Sequence, residues 1–165
     1  FRSVPNLIPG EVPRHLAWPS HQAGPMPTSA STRSTTTDDL VVRFLAGTLP
    51  RADWTHPAHL LVCRHLLAAA SPAEVLAELR VRIPEHNQRV GLLPHHGGYH
   101  ETITQYFVGA VAATAATTEA ELLAASACRR DAPLRHWSPE RLDSDEARRA
   151  WVEPDLAPLP WVPLA

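Results

Sequence analysis

Residues 54–84, WTHPAHLLVCRHLLAAASPAEVLAELRVRIP, read as two helices joined by almost no loop. The joint is Ser71-Pro72-Ala73-Glu74, a capping box with proline at the first helical position. There the serine oxygen accepts from the backbone N–H three residues on and the glutamate reaches back, while the proline lacks only an N–H that no helical carbonyl would meet. Downstream, Val75, Leu76, Leu79 and Ile83 share one stripe, and Pro84 is expected to kink or end the helix. Upstream, a helix opening near His56, with Pro57 in its first turn, extends to about Ala70. With so short a connection the two must lie antiparallel.

Helical spacing continues on both sides. Thr37 or Asp38 can cap a first helix over about 39–48, with Leu40, Val41, Phe44 and Leu45 in register. Residues 91–98 hold three glycines and Pro94 and form a loop. A fourth helix runs from about Tyr99 to Ala115, apolar at Ile103, Phe107 and Val111, and a fifth spans about 118–127. Short helix starts follow at Ser138-Pro139-Glu140 and Ser144-Asp145-Glu146, then a proline-rich end. No alternating strand pair is present. The expectation is an all-α fold: a single compact helical bundle of about five helices over 38–160, with an extended C-terminal tail.

Residues 1–37 read differently. Six prolines fall in the first 27 positions, and eight of the ten residues at 28–37 are Ser or Thr. Such a segment cannot bury enough apolar surface to offset its chain entropy, so it is expected to be a disordered or non-native leader, with Met26 as the natural start.

The 165 residues suffice for one domain with a real core. Net charge is −2, from 15 arginines, no lysine and 17 acidic residues. That balance argues against nucleic-acid binding, which calls for a basic stripe. No run of ~20 apolar residues is present, so no membrane span is expected. Cys63 and Cys128, two thiols in apolar helical settings, fit a cytoplasmic protein better than a disulfide scaffold.

Ten histidines are many for this length, and seven fall between 56 and 100. The antiparallel hairpin returns His86-Asn87 to the start of the second helix, and the fourth helix opens a short loop later. His56, His59 and His100 should therefore line one pole of the bundle, His56 and His100 each first on its stripe. A helix N-terminus disfavours imidazolium and keeps such rings neutral, able to ligate a metal. Glu101 would act as a ligand or as base to a metal-bound water. Against this, His-x-x-His recurs by chance, Glu101 in a first turn equally fits a complement to the helix dipole, His65 fits a packing or outward role, and Cys63 fits a small core residue.

Four strings, Trp54-Thr55-His56-Pro57-Ala58-His59-Leu60, Gly98-Tyr99-His100-Glu101-Thr102-Ile103-Thr104, Leu134-Arg135-His136-Trp137-Ser138-Pro139-Glu140-Arg141-Leu142 and Trp151-Val152-Glu153-Pro154-Asp155-Leu156-Ala157-Pro158-Leu159, resemble a family of small uncharacterised bacterial proteins. The similarity covers roughly 39–160. It implies importance for His56, His59, Asn87, Tyr99, His100, Glu101, Thr104, Trp137, Arg141 and Asp155, and supplies no reaction. His86, His95 and His96 do not match the pattern and rank lower as ligands.

Two functions compete. The first is a metal-dependent hydrolase or oxidoreductase acting on a small molecule. His56, His59 and His100 would bind a divalent zinc, iron or copper ion, and Glu101 would serve as catalytic base. Asn87, Tyr99, Thr104, Trp137 and Arg141 would contact substrate, with Trp137 stacking and Arg141 clamping an anionic group. The alternative is a non-catalytic ligand- or partner-binding domain in which the imidazoles form a structural network or metal site.

Overall fold

The computed structural model describes residues 36–92 and 98–164. The expected leader through residue 35, Met26 included, and the His95-His96 pair lie outside the described residues. The chain forms α1 (Thr37–Leu45), α2 (His56–Leu67), α3 (Pro72–Arg89), α4 (Glu101–Ala113), α5 (Glu119–Ala124), α6 (Pro139–Leu142) and α7 (Asp145–Arg149). Three 3-10 turns punctuate it, at Arg51–Asp53, Ser126–Cys128 and Ala132–Arg135. Among the described residues there is no strand. The fold is all-α, with the two late helix starts adding α6 and α7 to the five helices expected.

Local chemistry sets the boundaries. Thr36, one residue earlier than expected, caps α1 by accepting from Asp39 N–H. Thr55 caps α2 through Ala58 N–H, and the α3 capping box closes with the Ser71 N–H donating to Glu74 at 2.8 Å. Pro84 neither ends α3 nor stops its stripe. The helix continues five residues further, burying His86 and Asn87 beyond Ile83. An interior proline removes one backbone bond, here to the Arg80 carbonyl, and costs about 3 kcal/mol or more. Burial on both sides of Pro84 outweighs that loss. The helix stops two residues before Gly91, whose φ of 72° is a backbone conformation glycine adopts without strain.

α4 is the axis of the domain. Every residue from Glu101 to Val111 is buried, against α2, α3, α7 and the Ser126–Cys128 turn. A helix enclosed on all sides must be apolar or have its polar groups satisfied. Here Ile103, Phe107, Val108 and Val111 supply the first kind and Glu101, Thr102 and Thr104 the second, while Gln105 is paired through its amide N–H to Glu101 and its buried Oε1 meets no partner among the described residues.

The C-terminal tail straps α4. Trp137 donates from its indole N–H to Val152 O at 3.0 Å, and Arg141 Nε donates to Glu153 O at 2.7 Å. His136 O accepts from Leu156 N–H, and Asp155 accepts from Ser138 N–H and hydroxyl. Further on, Trp161 lies against Gly109, where a Cβ would collide with the indole ring. Among the described residues no helix is long and apolar enough to cross a membrane.

Candidate site at the start of helix α2

His56 and His59 stand one turn apart at the start of α2, and Cys63 follows on the same face. Together with Trp54, Leu79 and Ile83 of α3, and Thr104, Phe107 and Val108 of α4, they line a cavity of about 30 Å³. That is room for one or two water-sized groups. The imidazoles are fixed by backbone carbonyls. His56 donates from Nε2 to Cys128 O at 2.8 Å, and His59 donates from Nδ1 to Thr55 O at 2.6 Å. The Thr55 bond defines the tautomer of His59 and leaves Nε2 as its lone-pair nitrogen. Trp54 stacks against the same ring, centroids 3.6 Å apart.

Burial lowers the pKa of both rings, against the upward pull of their carbonyl partners, and the Arg130 charge lowers both further. His59 is displaced well below its ordinary value, with His56 and His86 adding to the effect. Both are neutral at pH 7. The Cys63 thiol is pushed up to about 12, chiefly by burial, so it is no thiolate nucleophile.

His100 and Glu101, expected at this pole, serve a separate network. His100 is the N-cap of α4: its Nδ1 accepts from Ile103 N–H at 3.3 Å, and its Nε2 donates to Leu142 O at 2.8 Å. Both ring nitrogens face backbone partners, and burial lowers the pKa to about 4. Glu101, 5% exposed, receives Arg80 Nη2 at 2.6 Å, Arg80 Nε at 3.0 Å, Tyr99 hydroxyl at 2.7 Å and Gln105 Nε2 at 2.8 Å. Burial alone would raise this carboxyl, but the hydrogen bonds from Arg80, Gln105 and Tyr99 and the Arg80 charge hold it below the usual range. A carboxylate so committed has little capacity left to take a proton or a metal.

The structure therefore separates the expected ligand set. His56 and His59 share the cavity; His100 does not line it, because the N-cap conformation turns its ring toward α6. Among the described residues no group of three or more His, Cys, Asp or Glu side chains is disposed to hold a metal ion. Of the expected substrate contacts, Thr104 lines the cavity while its hydroxyl donates to His100 O at 2.8 Å. Tyr99 is bound to Glu101, and Asn87 is buried near the end of α3. Trp137 is a core side chain at 0% exposure, so it offers no face for stacking a ligand. Arg141 ties down the tail through Glu153, and Asp155 does the same through Ser138.

His86, ranked low from the sequence, turns out to be a neighbour of the site. It is 1% exposed, its ring lies 5.2 Å from Trp54, and neither ring nitrogen meets a hydrogen-bond partner among the described residues. The antiparallel geometry of α2 and α3 carried that signal. Trp54, Phe107 and Arg130 were not expected at the site. Their positions depend on how the Arg51–Asp53 turn, α4 and the segment after Cys128 converge, which no local pattern shows. No family model, curated protein sequence or solved structure matches the chain.

Proposed function

We propose that the chain is a non-catalytic helical domain that binds a small ligand in the cavity at the start of α2, with His56 and His59 as its polar contacts. One observation carries this reading. The cavity combines neutral imidazoles of fixed tautomer with an aromatic and aliphatic lining, whereas Glu101, the carboxylate best suited to catalysis, is saturated by Arg80, Tyr99 and Gln105. Apolar lining with a few placed polar groups is the ordinary composition of a ligand site. The cytoplasm is the proposed setting, in keeping with the buried free thiols Cys63 and Cys128. The test is a calorimetric and NMR screen of small molecules against the full chain and a His59→Phe variant. Ligands that bind the former and not the latter support the proposal; binding unaffected by the substitution overturns it.

A second reading, a metal-dependent hydrolase or oxidoreductase, is favoured by the Nδ1 bond of His59 to the Thr55 carbonyl, the arrangement that commonly orients metal-ligating imidazoles. Zinc, iron or copper would be held by His56 and His59, with His100 joining only if its bonds to Ile103 and Leu142 were given up. Elemental analysis of the purified protein decides: a stoichiometric ion lost in His59→Phe supports this reading, and its absence after reconstitution ends it.

A further inference from the structure

A neutral imidazole carries one N–H and one lone pair, and burial asks for a partner at each. His86, at 1% exposure, has neither among the described residues. What meets it is aromatic: the ring of Phe44 from α1, centroids 5.6 Å apart, and that of Trp54 at 5.2 Å. We infer that His86 is a proton-operated latch, at which uptake of a proton parts α1 and Trp54 from α3 and opens the ligand cavity along its Trp54 wall. The consequence for the cavity rests on the binding reading above; the latch itself is read from the packing alone.

The neutral ring is tolerated in that place and the charged ring is not. Imidazolium would bring a second N–H and a full charge to walls that offer no acceptor, and attraction to the two aromatic faces is small beside the hydration a buried cation gives up. Neighbouring charges add to the penalty. Burial lowers the pKa of His86, and the Arg89 charge on the same helix lowers it further. Glu85 is spent on Arg89 at 3.6 Å, and on α1 Asp39 and Arg43 pair with each other at 3.0 Å. α2 brings His59, neutral at pH 7 and subject to the Arg130 charge, against the same Trp54 ring. While sealed, His86 therefore resists the proton; an open form takes it up near the ordinary value of about 6.5. Below that pH, each step toward acid favours the open form.

The packing says which side gives way. α1 has nine residues, too few to persist as a helix by itself. It is held by the burial of Val41 and Phe44, by the Thr37 hydroxyl on Glu119 at 2.8 Å and by Arg82 Nη1 on Leu45 O at 3.1 Å. Phe44 stacks on Trp54 with centroids 4.4 Å apart, so the two rings leave together. α3 has 18 residues and is tied to the central α4 through Arg80 and Glu101. Short elements with few ties are the ones that open locally. Because Trp54 also lines the cavity, its departure gives a ligand a way in.

Amide hydrogen exchange of the full chain at pH 7 and pH 5.5, corrected for the intrinsic effect of pH, reads the opening without any ligand. Protection of the amides at 41–45 is expected to fall about fivefold more in the parent than in His86→Phe, whose ring fills the same space and does not titrate. The urea midpoint of that variant at pH 7 is expected to be no lower than the parent's, because two stranded polar atoms are gone. An equal fall in parent and variant puts the trigger at another group and overturns the inference, as does protection in α1 that ignores pH. Should His86→Phe not fold, ¹⁵N-histidine spectra of the parent decide. A His86 ring still neutral at pH 5.5, in a chain whose α1 amides have lost protection, supports the latch; a ring that titrates near 6.5 with α1 undisturbed ends it. The ligand screen is independent of all these outcomes, so the latch and the binding reading can fail separately.

Discussion

Two helix starts in this protein use the same residue types to opposite ends. At α2, His56 and His59 stand beside a cavity, each with one nitrogen on a carbonyl and the ring against an aromatic neighbour. At α4, His100 has both nitrogens on backbone groups, and Glu101 beside it is enclosed by Arg80, Tyr99 and Gln105. The difference lies in what stands opposite. α4 runs through the middle of the domain, so polar groups at its start must be satisfied internally. α2 faces an incompletely filled space between α3 and α4, so its imidazoles line a cavity instead of closing a network at a helix start. Imidazole and carboxylate at a helix start are therefore not by themselves a sign of function; the packing around them assigns the role.

The sharpest way to break this contrast is at Arg80. Arg80→Ala leaves the Glu101 carboxylate buried with Tyr99 and Gln105 alone, and stripping one partner from a buried pair typically costs about 3–5 kcal/mol. Urea denaturation should show a loss at the lower end of that range, since Arg80 itself is half-exposed, and adding Glu101→Gln should recover part of it. A loss under about 1 kcal/mol would mean the network is not structural.

Acid is the next lever. The folded-state pKa of His100, about 4, lies below the ordinary 6.5, so unfolding takes up a proton between those values. The stability that follows is complete above pH ~6.5 and is lost as pH falls toward 4, about 3 kcal/mol in all. His56 and His59 add in the same direction. Comparing denaturation midpoints of the parent and His100→Asn at pH 7 and pH 4.5 isolates the His100 share, since the variant lacks that titration.

The same variant at pH 7 keeps an N-cap oxygen for Ile103 N–H but loses the bond to Leu142 O. A loss of about 1–2 kcal/mol is expected, the cost of stranding a buried carbonyl. The smallest effect belongs to α2. His59→Phe, which preserves the stacking on Trp54, should change stability by no more than about 1 kcal/mol while abolishing ligand binding. An equal loss of stability at the two helix starts would erase the distinction drawn between them.

Much of the fold was legible because its signals are local. Ser71 and Glu74 cap α3 as read, and the joint they form places α2 and α3 as an antiparallel pair. Ser138 and Ser144 open α6 and α7 where their sequences promised helix starts. Pro84 misled because its penalty is local whereas the burial that overrides it is tertiary. The site was half legible. His56 and His59 share a face by spacing alone, but His100 was placed on the stripe of α4 when it caps the helix, a role more often taken by Ser, Thr, Asp or Asn. Arg80, 21 residues from Glu101, carries no sign in the sequence of the partner it meets.

One contact reaches beyond this chain. Gly109 and Trp161 occupy a single space, the ring resting where any side chain at 109 would stand. A side chain at 109 is admitted only where the indole at 161 is gone, so across related sequences the two positions should covary. A chain that has lost the tryptophan is free to carry alanine or serine in the middle of α4, and one that keeps it is not.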